Sequence, residues 1–165
     1  MTAEPKIEVF EVSNTSRLDA CAEEAATKLF FVPLNVEGSD EPIFASTLPT
    51  MTKLAKQQGL AFGVYPTESP PQFLEQRSID WFAPAIFISS LFYTQNPHAV
   101  SVALSMLANY LTAIFPGRND VGARLDVYYR DDNRKVTTKI RYSGPVSGLS
   151  EIDATIHAVV NGKKS

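Results

Sequence analysis

Between Trp81 and Gly117 the chain carries no Asp, Glu, Lys or Arg, and the run is broken once, at Asn96-Pro97. In a chain of 165 residues such a tract has three physical fates. It forms the centre of a core, it forms a membrane hairpin, or it forms a surface that a partner covers. Length argues against the membrane: His98 to Phe115 falls just short of a span of about 20 residues and contains Ser101, Ser105, Asn109 and Thr112. The segment from Trp81 to Gln95 is shorter still and holds Pro84, and basic anchors are missing from the Asn96-Pro97 turn. Core therefore leads over a membrane hairpin, and the choice between core and interface stays open.

The rest of the chain is compatible with residues 1–165 forming a single globular domain of ordinary composition. One cysteine, Cys21, excludes an internal disulfide and fits a reducing compartment. The N-terminal residues show no apolar stretch after a basic start, so the expected location is cytoplasmic. The net charge of −3 conceals an asymmetry. Residues 1–80 hold twelve acids and six bases, whereas residues 118–142 hold seven bases and four acids. These regions attract each other or attract different partners.

Periodicity divides the chain into elements. Lys6 to Val12 alternates as a strand. Asn14 to Ser16 offers caps for a helix in which Leu18, Cys21, Ala22, Ala25 and Leu29 recur at helical spacing. Phe30 to Val36 reads as a strand that Pro33 demotes to an edge or shortens. A helix then starts near Ser46 or Thr47, tolerates Pro49 in its first turn and stops at Gly59, with a short strand over Leu60 to Tyr65. Ile79, Phe82, Ala83, Ile86 and Phe87 sit at helical spacing, but Ala85 to Ser89 equally fits a buried strand. Asn96 and Pro97 predict the start of a helix whose stripe is Val100, Ala103, Leu104, Leu107, Ala108, Leu111 and Phe115, buried on most sides and ended by Pro116-Gly117.

The firmest pattern comes last. Leu125, Val127 and Tyr129 alternate with Arg124, Asp126, Tyr128 and Arg130, and after Asp131–Asn133 the return strand alternates in the same way. This predicts a β-hairpin over about 124–142 with one core face and one wet face. Ser150 caps a closing helix with Ile152, Ile156, Val159 and Val160 inward and Gly162 at its end. The fold class that follows is α/β or α+β, a mixed sheet of four to six strands with packed helices.

Chemistry-bearing patterns are sparse. The wet face would gather Arg124, Tyr128, Arg130, Lys139 and Arg141, bases with one aromatic that suit a phosphorylated ligand or a nucleic-acid strand. Asp126, Asp131 and Asp132 lie among them, so nucleic acid ranks below a protein partner. His98 and His157 both stand in His-Ala-Val but lack a nucleophile at diagnostic spacing, and Cys21 has no base placed to activate it. Glu37, Asp40 and Glu41 form an acidic loop without a calcium-binding ladder. Gly-rich phosphate loops and the hydrolase elbow are absent. No catalytic residue, metal or cofactor is expected.

The layout from an apolar segment through the helix Val100 to Phe115, the basic hairpin Arg124–Arg130 with its return Thr138–Tyr142, and a closing helix resembles the small effector-associated domains of bacterial conflict systems. The resemblance covers residues 80–160 and is one of layout. It implies a non-enzymatic adaptor module, possessing no catalytic residue, that docks a protein partner or its own copies. The expectation is thus a protein-interaction module in a bacterial defence or regulatory system. The second reading is a binding or catalytic domain for a phosphorylated small molecule or nucleic acid.

Overall fold

The computed structural model describes residues 6–38, 40–66, 71–73, 81–114, 122–145, 148–149 and 151–161. Its elements, in chain order, are β1 (Lys6–Glu11), α1 (Ser16–Asp19), β2 (Leu29–Val32), β3 (Ile43–Phe44), α2 (Leu48–Gln57), β4 (Phe62–Val64), β5 (Gln72–Phe73), β6 (Trp81–Phe82), β7 (Ala85–Ser89), α3 (Ser90–Gln95), α4 (Ala99–Ile114), β8 (Gly122–Asp131), β9 (Val136–Pro145) and α5 (Glu151–Val160). A 3-10 turn at Glu24–Ala26 follows α1. The expected mixed α/β or α+β class is what forms. The main sheet is larger than expected, with seven strands in the order β1-β9-β8-β7-β2-β4 and β6 beside β8. β3 and β5 make a separate parallel pair.

The uncharged tract supplies the middle of this sheet. β7 runs antiparallel to β2 and parallel to β8, with every residue buried. Ile86 and Ile88 join the cluster beneath α2, α4 and α5, whereas Ala85 and Phe87 join the cluster on the opposite face. A strand buried on both faces is apolar throughout, which is why its periodicity did not separate strand from helix. β6 continues β7 along β8 with one residue gained between Phe82↔Arg124 and Ile86↔Val127. Pro84, which has no N–H to donate, occupies that bulge.

α4 covers the first face with Val100, Ala103, Leu104 and Leu107, as the stripe predicted. It is one-sided rather than buried on most sides, since Val102, Ser105 and Asn109 are exposed. Asn96 ends α3 instead of capping α4, and a turn through Pro97 and His98 separates the two helices. Ile79, Phe115, Pro116, Gly117, Ser150 and Gly162 lie outside the described residues, as does the Leu111 side chain. Among the described residues no helix is long and apolar enough to cross a membrane.

Three boundaries follow local chemistry. β2 stops at Pro33, yet it lies inside the sheet between β7 and β4, so Pro33 shortens it rather than marking an edge. α2 begins with Pro49 in its first turn and ends at Gly59, where Gly59 N–H donates to Lys56 and Leu60 N–H donates to Ala55. That paired closure needs a left-handed residue, and Gly59 has φ +70°. The helix expected from Ser16 to Leu29 forms only as α1 and the 3-10 turn. Thr15 donates its hydroxyl to Asp19 rather than capping a backbone N–H, and Asp19 turns outward to Arg130. Leu18, Cys21 and Ala25 still face inward, so the spacing is kept while the hydrogen bonding tightens.

Candidate functional site

β8 and β9 pair antiparallel over Gly122–Asp131 and Val136–Pro145, with Leu125, Val127, Tyr129, Ile140 and Tyr142 in the large core cluster. The alternation that sends those side chains to the helices sends Arg124, Asp126, Tyr128, Arg130, Lys139 and Arg141 to the other face. Register then sets Tyr128 opposite Lys139 and Asp126 opposite Arg141.

This face is not the wet one the alternation suggested. Tyr128 is fully buried beside Val12, Val36 and Phe87, and Lys139 and Asp126 are only 8% and 5% exposed. The turn after β2 and the segment carrying α1 close over it, an event fixed by residues far away in the chain. Burial of charge is tolerated because each charge is met. Arg141 Nε donates to Asp126 Oδ1 at 2.9 Å and its Nη2 to Oδ2 at 3.4 Å. Arg124 lies 3.8 Å and Lys139 Nζ 3.9 Å from the same carboxylate. Asp126 is thus the common counter-ion of three bases.

Glu37, from the turn after β2, completes the arrangement. Its Oε2 accepts from Lys139 Nζ at 2.6 Å and from Tyr128 Oη at 2.9 Å. Burial would raise the Glu37 carboxyl pKa, but hydrogen bonds from Lys139 and Tyr128 and the charges of Lys139 and Arg141 outweigh it and hold it below its usual value. The same contact acts oppositely on Tyr128, whose hydroxyl is pushed up by burial and by the Glu37 and Asp126 charges. Lys139 Nζ also sits 5.5 Å from the Tyr128 ring centroid.

Of the five residues expected to hold an anion, the structure brings Tyr128, Lys139 and Arg141 together, with Arg124 beside them on Asp126. Arg130 is engaged elsewhere, 3.2 Å from Asp19 and 3.7 Å from Asp132. Sequence reasoning missed Glu37, considered only as a cation ligand, and missed that Asp126 organises the bases. The acidic loop does not converge: Glu41 accepts from Gln72, and the Asp40 carbonyl accepts from Arg17. Among the described residues no group of three or more His, Cys, Asp or Glu is placed to hold a metal. Cys21 is buried, and desolvation with the nearby Glu24 charge pushes its thiol up to about 11, which leaves it protonated at neutral pH. His157 Nδ1 shares a 3.2 Å hydrogen bond with the Tyr93 hydroxyl, while Ser101 donates to Asp153 at 3.0 Å.

The edges of the sheet form the other candidate surface. The outer sides of the hairpin are largely taken, because β1 lies along Thr138–Ser143 of β9, and β6 and β7 lie along Ala123–Arg124 and Val127–Arg130 of β8. Among the described residues the outer side of β1 has no strand partner. Val12 donates to Thr137 in register with this ladder. Hydrogen-bonded positions alternate in an antiparallel pair, so Ile7, Val9 and Glu11 direct their backbone groups away from β9. Val9 and Phe10 are 43% and 42% exposed.

Comparison of the chain with family models, with curated proteins and with solved structures returns no match.

Proposed function

We propose that this protein is a non-enzymatic interaction module that receives an extended segment of another protein along β1. The observation that carries the reading is the outward row of β1 backbone groups flanked by exposed Val9 and Phe10. Strand addition draws affinity from main-chain hydrogen bonds and selectivity from alternate side chains. Glu8 and Glu11 favour a partner strand that places Lys or Arg opposite them.

A second copy of β1 fits less well. Two-fold pairing about Glu8 sets two carboxylates against each other, and pairing about Val9 sets Glu11 against Ile7. The resemblance of the sequence layout to effector-associated adaptor domains favours the same class of function, and with it a role in a bacterial defence or regulatory system. Nucleic-acid binding by the hairpin face loses support, because its bases are engaged with Asp126, Glu37, Asp19 and Asp132.

Fluorescence anisotropy with a labelled extended peptide that carries Lys at two positions three apart, opposite Glu8 and Glu11, and Val elsewhere tests this. Val9→Pro removes one outward N–H and spares the β1–β9 ladder. Saturable binding that the substitution abolishes supports the proposal. Equal binding by both proteins, or none by the wild type, overturns it. Light scattering across a salt series gives the other arm: a salt-resistant dimer replaces the foreign strand with a second copy.

A further inference from the structure

We infer that Lys139, Tyr128 and Arg141 form an oxyanion seat in which Glu37 is a resident, displaceable ligand, and that a phosphate group competes with it. The inference stands apart from the edge-strand reading, and neither depends on the other.

The geometry is that of a ligand held by a receptor. One oxygen of one carboxylate takes two converging donors, Lys139 Nζ at 2.6 Å and Tyr128 Oη at 2.9 Å. Both donors come from adjacent central strands in register, and both are buried. The seat is therefore rigid, with the ammonium held against the Tyr128 ring as well. Its occupant belongs to a different kind of segment. Glu37 lies in a turn, and its side chain is 37% exposed against 11% for Lys139.

The turn need not move for the seat to open. Val36 is buried in the cluster with Tyr128, and the Glu37 carbonyl accepts from Asn14 Nδ2 at 2.7 Å. A rotation about the Glu37 side-chain bonds alone carries the carboxylate into solvent. Lys139 Nζ is then left 3.9 Å from the Asp126 carboxylate that Arg141 already holds at 2.9 Å. An ammonium that has lost its close counter-ion suits a phosphate dianion better than the monoanion it loses. A neutral phenol donor beside an ammonium suits phosphate oxygens, because each donor meets a separate lone pair.

Glu37→Gln keeps the shape of the side chain and removes the competing charge. Titration of inorganic phosphate against wild type and Glu37→Gln, at constant ionic strength set with chloride, reads the effect by amide chemical shifts around Tyr128 and Lys139. Saturable binding to the variant is expected, with wild type weaker by about tenfold or more, because only its open fraction is competent. Glu37→Gln/Lys139→Met should lose the response. Glu37→Ala serves as a second variant should the amide reseat itself on Lys139. Shifts that never saturate, or that persist without Lys139, would show general salt effects and overturn the seat. So would equal affinity in wild type and both Glu37 variants.

Discussion

Glu37 shows how one side chain couples two distant regions. Its partners Tyr128 and Lys139 are 91 and 102 positions away, so no window of sequence reports the contact. The alternation of β8 and β9 places both donors on one face, which was legible, but it says nothing about what arrives to cover that face. The pH dependence has a definite sign. A carboxyl held below its ordinary value of 4.5 by Lys139 and Tyr128 contributes stability that is complete above its unfolded-state pKa. That contribution is lost as pH falls through the lower folded value. Acid titration monitored by circular dichroism should show wild type and Glu37→Gln separated at neutral pH and converging below pH 4.5. Curves that stay parallel through the acid range would remove the ionised Glu37 from the stability of the fold.

At the scale of elements, legibility followed the range of the interactions that decide each one. α2 was readable because its start and stop are local, with Pro49 at one end and Gly59 at the other. The hairpin was readable because its period of two survives burial. The Ser16–Leu29 helix closes its first turn, with Asp19 N–H donating to the Thr15 carbonyl, and then tightens as Cys21 and Ala22 donate to Leu18 and Asp19, a change that apolar spacing does not report. Likewise β3 and β5 are two residues each and pair across α2, leaving no periodic trace. The junction of β7 and α3 shows a tertiary bond serving an element directly. Ser89 is the N-cap of α3, its hydroxyl accepting from Phe92 N–H at 3.2 Å while donating to the Ala25 carbonyl at 2.7 Å. Beside it, Ser90 and the Leu91 N–H both donate to Asp132. Ser89→Ala strips a cap and leaves a buried carbonyl and N–H unmet, at a cost of about 2 kcal/mol. Urea denaturation checks the figure; a change within about 0.5 kcal/mol, the range of an ordinary surface substitution, would mean that water or a shifted α3 replaces the lost bonds.

At the scale of the whole molecule, the charge asymmetry and the uncharged tract are two sides of one arrangement. The acidic N-terminal region and the basic hairpin meet each other, through Glu37 with Lys139 and Asp19 with Arg130, and β7, from the tract, lies between the helices and that charged face. β7 is the element most dependent on this, since both of its faces and both of its edges are covered. Its amides should therefore exchange with deuterium only through opening of the whole sheet, whereas those of β1 and β4 exchange through local fraying. Phe87→Ala gives the energetic counterpart. Phe87 is fully buried in the smaller cluster with Phe30 and Tyr128, so truncation leaves a cavity worth about 3–5 kcal/mol. The loss should speed exchange in β7, β8 and β2 together, because global opening is the route they share. Faster exchange confined to β7 would instead mean that the tract opens on its own, as a surface awaiting a partner does.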